Sequence, residues 1–112
     1  MSQRDPMAAM RHMLEYARKA VRICESKTRG DLQDDELLQL GLTRAVELIG
    51  EAANRVPSEL RDRYHDIPWA QIIGTRHRLI HGYDRIDLNI LWDTIREDLP
   101  PLIAQLHRAL HE

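Results

Sequence analysis

Apolar residues along the chain recur at intervals of three and four, and no stretch alternates apolar with polar over a strand's length. That periodicity predicts helices throughout. Asp5 as N-cap and Pro6 in the first turn open the first helix, and Met10, Leu14, Ala17, Val21 and Cys24 form its stripe. SKTRGD, from Ser26 to Asp31, breaks it. The second helix is expected from about Asp34 to Arg55 with a broader pattern: Leu38, Leu42, Ala45, Ile49 and Ala52 make one stripe, widened by Leu37, Leu40 and Leu48. VPSEL marks a stop and a short restart that ends near His65. DIPWAQII opens the third long helix, with Asp66 or Ile67 at the cap and Pro68 in the first turn, and Gly82 ends it. Asp87 caps the fourth, whose face carries Leu88, Leu91, Trp92 and Ile95. Pro100 and Pro101 must kink or split that helix, and Leu102, Ile103, Leu106 and Leu110 continue its face beyond them.

The expected fold class is therefore all-α, and 112 residues make one domain, 1–112. The second helix is apolar over more than half its circumference, which implies burial on more than one side. In so short a chain a second subunit is one cover for that surface.

Composition sharpens the picture in two ways. The net charge of −2 gives no overall basic signature of a bulk nucleic-acid binder. Yet of 16 Lys and Arg residues only Lys19 and Lys27 are lysine, and arginine's planar fork is the one that suits phosphate; a GC-rich genome produces the same bias. Cys24 is the single cysteine, so no internal disulfide forms, and its place in an apolar stripe makes it a small core residue. No apolar run approaches membrane-spanning length and the N-terminus lacks a signal peptide's hydrophobic segment. The expectation is a cytoplasmic protein with no membrane partner.

The candidate chemistry lies in GTRHRLIHGYDRID, Gly74 to Asp87, with three arginines, two histidines and a tyrosine. At about 100° per residue, Trp69, Ile72, Ile73, Leu79 and Ile80 cluster within roughly 60° of one direction, and Arg76 points along its middle. A guanidinium there needs an anion. Either an internal carboxylate serves, Glu47 or Glu51 on the second helix, or a ligand phosphate held in a cleft does. His81, five residues on, lies roughly 140° away on an ideal helix. It converges with Arg76 only if the helix end loosens or a second copy faces the first across a two-fold axis. Its ordinary pKa of about 6.5 suits proton transfer near neutrality. His77 and His81 stand at i and i+4 like half a zinc site, but Arg78 occupies the position where a metalloprotease helix needs its general base. No third ligand follows, so no metal is assigned.

Arg76, His81 and Tyr83 together spell R-x4-H-x-Y. This resembles the signature of the HEPN superfamily, and specifically the HepT-like toxins of toxin–antitoxin pairs. An R-x4-H pair alone is expected by chance about 0.8 times in such a composition, and the added tyrosine lowers this to about 0.02. LIGEAANRV, IPWAQIIGTRHRLIHGY and LWDTIREDLPPL are also similar to that family's stretches, in its order and spacing, so the resemblance runs from roughly Leu14 to Leu106. One departure is His77, where the family often has asparagine.

The resemblance implies an up-and-down bundle of four to five helices that forms a homodimer, with both motifs in one cleft. It implies RNA cleavage without a metal or other cofactor, and a nucleotidyltransferase antitoxin of the MNT type that adds AMP to the motif tyrosine, here Tyr83. On that reading Arg76 grips the scissile phosphate, His81 moves the proton, His77 supports the phosphate and Tyr83 lies at the rim. Two other readings remain open: a non-catalytic HEPN module that binds a nucleotide or a nucleotidyltransferase, and a plain helical dimer with an internal Arg–Glu pair.

Overall fold

The computed structural model describes residues 5–111 apart from 82–84, with His81 described by its backbone alone. Among them lie α1 (Ala8–Cys24), α2 (Arg29–Asp34), α3 (Glu36–Arg55), α4 (Ser58–Arg63), α5 (Trp69–Leu79), α6 (Leu88–Asp93) and α7 (Leu99–Leu110). A π-helical turn, Thr94–Asp98, joins α6 to α7, and two-residue strands β1 (Ile80–His81) and β2 (Arg85–Ile86) pair antiparallel, with Ile80 opposite Ile86. The fold is all-α. Four rods, namely α1, α3, α5 and the run from α6 through α7, pack each on the next, and α7 returns onto α1.

Each rod supplies one stripe to a common core. Met10, Met13, Ala17 and Ala20 come from α1, Leu42, Val46, Ile49 and Ala53 from α3, and Leu91, Ile95, Leu102 and Leu106 from the last rod. Cys24 is buried among them, and burial pushes its thiol pKa up, which keeps it protonated and inert.

Local chemistry explains the boundaries, including those that differ from the sequence pattern. The carboxylate of Asp5 accepts from the backbone of Met7 at 2.9 Å, but regular helix begins only at Ala8. SKTRGD does not simply break the chain. Thr28 and Asp31 form a reciprocal capping box, which starts the short α2 inside that segment and holds the Asp31 carboxyl below its ordinary pKa. Arg29, the first residue of α2, ties it to α6 through Asn89 and Asp93, both at 2.8 Å. Asp35 caps α3 and Asp87 caps α6, each accepting from the amide three residues on at 3.0 Å.

The last helix is split at the prolines as expected, with the break falling just ahead of them, between Asp93 and Leu99. Pro100 and Pro101 have no N–H to give the carbonyls four residues back. The turn ahead of them widens, so that Leu99 N–H reaches Thr94 O five residues away, and α7 then starts with both prolines in its first turn.

Candidate functional site

The third rod, α5, carries the motif's arginine, Arg76, and it packs on α3 with a close approach at Gly50. A Cβ there would lie 3.3 Å from the carbonyl oxygen of Ile72. That is tighter than most Cβ contacts, so a side chain there would push α5 away by a few tenths of an ångström. Beside this crossing runs an open groove of about 240 Å³, floored by Val46, Ile72 and Ile73 and edged by Glu47, Glu51, Asn54, Arg76 and His77.

Arg76 does not point into the middle of the apolar stripe. The buried direction of α5 passes through Thr75 and Leu79, with Ile72 partly buried beside them, and Arg76 stands at its edge with its side chain 66% exposed. Two causes explain the difference. Thr75, polar by type, is accommodated inside because its hydroxyl donates to Gln71 O at 2.8 Å. And α5 ends at Leu79, so Ile80 is not on the wheel at all.

The anion that the sequence demanded is internal in this chain. Arg76 Nε lies 3.3 Å from Glu47 Oε2, and Glu47 is only 19% exposed. The second carboxylate of the groove, Glu51, is matched by Arg44 Nη1 at 3.4 Å. Both acids thus face an arginine, and the groove carries no unopposed carboxylate. Arg76 lines the groove, and its side chain is largely open to solvent there.

The crowding of cations in this stretch has an element-level cause as well. Arg76, His77 and Arg78 occupy the last turn of α5, where carbonyls without partners and the helix dipole favour positive charge. Arg78 turns away from the groove and donates to Thr75 Oγ1 at 3.1 Å.

Gly82 does not terminate α5. The helix stops three residues earlier, where Ile80 and His81 become extended and pair with Arg85 and Ile86, and Asp87 N–H closes the loop on Leu79 O at 2.7 Å. His77 and His81 are therefore not successive positions of one helical face. The side chain of His81 and the whole of Tyr83 lie outside the described residues. What the structure brings together is Arg76, His77 and Glu47. Asn54 is a groove residue that the sequence pattern did not single out; Glu47, Glu51 and Asn54 at i, i+4 and i+7 along one helix face were the signal. Among the described residues no three His, Cys, Asp or Glu side chains gather into a set able to hold a metal ion, and no helix is long and apolar enough to cross a membrane.

Comparison with known proteins adds the following. A family model described as ribonuclease HepT-like matches residues 13–109. A protein of Thermococcus cleftensis, named as a probable ribonuclease HepT, is 36% identical over 99 residues, 85% of this chain and 90% of its own. One from Methanocaldococcus jannaschii, named as a candidate RNase, is 30% identical over 102 residues, 91% of this chain and 94% of its own. Another candidate RNase, from Caldanaerobacter subterraneus subsp. tengcongensis, is 29% identical over 109 residues, 97% of each. No solved structure matches.

Proposed function

The chain belongs to the ribonuclease HepT-like family, and we propose that it is a metal-independent endoribonuclease. In this reading it is the toxin of a toxin–antitoxin pair, a single helical domain acting in the cytoplasm as a homodimer. The observation that carries the reading is Arg76 at the groove: an exposed guanidinium beside the Glu47 carboxylate, of the planar shape that suits two phosphate oxygens. The names of the relatives support RNA as the substrate.

The reaction is attack of the RNA's own 2′-oxygen on the adjacent phosphorus. The bond from phosphorus to the 5′-oxygen breaks, leaving a cyclic phosphate and a free 5′-hydroxyl. Arg76 stabilises the charge gathering on the non-bridging oxygens. His81 takes the 2′ proton or returns one to the departing 5′-oxygen, and His77, at the groove edge, supports the phosphate. Tyr83, two residues beyond His81, receives AMP from a nucleotidyltransferase antitoxin using ATP, with pyrophosphate released. The added phosphate sets a negative charge in the space meant for the substrate's own.

Dimerisation is supported by the outer face of α3. Leu37 is 80% exposed and Leu40 54% exposed. They share one helical direction with Leu48, an apolar strip that a second copy of the chain covers. Expression in a bacterium is the test. The intact chain arrests growth, Arg76→Ala does not, and co-expression of the cognate nucleotidyltransferase restores growth. The Glu47 partnership of Arg76 also favours a second reading, a non-catalytic module whose arginine is structural. Under that reading Arg76→Ala and the intact chain behave alike.

A further inference from the structure

The outer face of α1 carries charge that the site described above does not use. Arg11, Arg18 and Arg22 fall within about 40° of one direction and span about 16 Å of helix. Lys19 flanks them, and together with Glu15 they edge a surface groove of about 380 Å³. Four cations stand against one carboxylate, in a chain whose net charge is −2. Glu15 is taken by Lys19 at 3.1 Å, and Arg11 is paired with Asp5. Among the described residues no carboxylate pairs with Arg18 or Arg22, which sit one turn apart, both exposed.

We propose that this stripe is a second RNA-binding surface, a track for the phosphate backbone of a folded RNA whose scissile bond lies at Arg76. The proposal rests on the ribonuclease reading for its substrate and goes beyond it in the surface. Two features favour a polyphosphate over the other partners of a cationic helix. A protein interface is anchored by aromatic or apolar residues at its centre, and a membrane-surface helix needs an exposed apolar face. Between Arg11 and Arg22 the fully exposed positions carry neither: Leu14, Ala17 and Ala20 are buried, Val21 is only partly exposed, and the partly exposed Tyr16 ring lies under Lys19. What is left is a row of guanidiniums at helical spacing, and backbone contacts of this kind add affinity without reading sequence.

Position gives the stripe its use. α1 packs on α3 and α7, whereas α5 packs on α3 and α6, so stripe and groove lie on different sides of a bundle about 30 Å across. A short oligonucleotide fills the groove alone. A folded RNA reaches both, so the stripe selects for size and fold and not for bases.

The test compares the intact chain with Arg18→Gln/Arg22→Gln on two RNAs, a single strand of about eight nucleotides and a folded RNA of about seventy, across a salt series. Both substitutions are at exposed helix positions and keep the far-ultraviolet spectrum. The variant is expected to cleave the short RNA as the intact chain does. On the folded RNA its KM rises about ten-fold with kcat unchanged, and the slope of log affinity against log salt falls by about 1.5, two phosphate contacts' worth. Equal affinity and equal salt slope for the folded RNA overturn the proposal and leave the stripe to an acidic protein. If the intact chain cleaves neither RNA, the ribonuclease reading fails by itself. Equilibrium binding of the folded RNA to the two proteins still decides the stripe by the same loss of affinity and slope.

Discussion

Among the described residues Arg76 pairs with Glu47, and the meaning of that contact can be measured. Its ion pair with Glu47 is two-thirds exposed on the arginine side, so its worth to stability is under about 1 kcal/mol. If Glu47 orients the guanidinium, Glu47→Ala lowers kcat roughly five-fold with little change in KM and less than about 1 kcal/mol in stability. If Glu47 competes with the phosphate, the same variant binds RNA more tightly. Single-turnover cleavage with KM and kcat resolved separates the two. At Tyr83 the expectation is a mass increase of one or more AMP units after co-expression with the cognate nucleotidyltransferase and ATP, located there by peptide mass spectrometry. Tyr83→Phe keeps its toxicity under the same co-expression. An unmodified Tyr83 in a fully neutralised complex counts against covalent control and for inhibition by binding.

Among the elements, the α3–α5 crossing is what places Arg76 beside Glu47, and two glycines report on it differently. At Gly74 an added Cβ meets nothing within 4 Å. Gly74→Ala should raise stability by about 0.5–1 kcal/mol, the helix-propensity gain, and leave cleavage unchanged. At Gly50 the same methyl presses on the backbone of α5. Gly50→Ala should forfeit that gain and reduce cleavage, because α5 must shift against Glu47. Thermal melts and cleavage rates of the two variants give the comparison. The helices themselves were legible in the sequence because three- and four-residue spacing is written in every rod, and Asp87 announces its cap. Less legible was anything set by competition between neighbours. Thr75 took the buried position by donating to Gln71 O, and Arg76 stands at the edge. The strand pair ended α5 before Gly82, and the split at the two prolines took the form of a π-turn ahead of them. The family motif was legible as letters, but the geometry that joins Arg76, His77 and Glu47 depends on a tertiary crossing at Gly50 that no local pattern encodes.

For the whole molecule, the apolar outer face of α3 is the feature a single copy leaves unused. Leu37 and Leu40 cost solvation as long as they face water. The chain is expected to run as a dimer at micromolar concentration in size exclusion with light scattering. Leu37→Glu/Leu40→Glu is expected to give a monomer that stays helical, because neither side chain contributes to the core. A monomeric mass for the intact chain across that range removes the two-copy cleft and leaves each groove to act alone.

The central claim is that Arg76 belongs to a site that cuts RNA with the RNA's own hydroxyl, and its most direct test is cleavage by the purified chain in excess EDTA with the products identified. The account predicts cleavage that persists under chelation and yields a cyclic phosphate and a free 5′-hydroxyl. Arg76→Ala and His81→Ala should each lose about 100-fold or more while keeping the helical spectrum. Cleavage that stops on chelation and returns with zinc, or that survives Arg76→Ala at the intact rate, contradicts it.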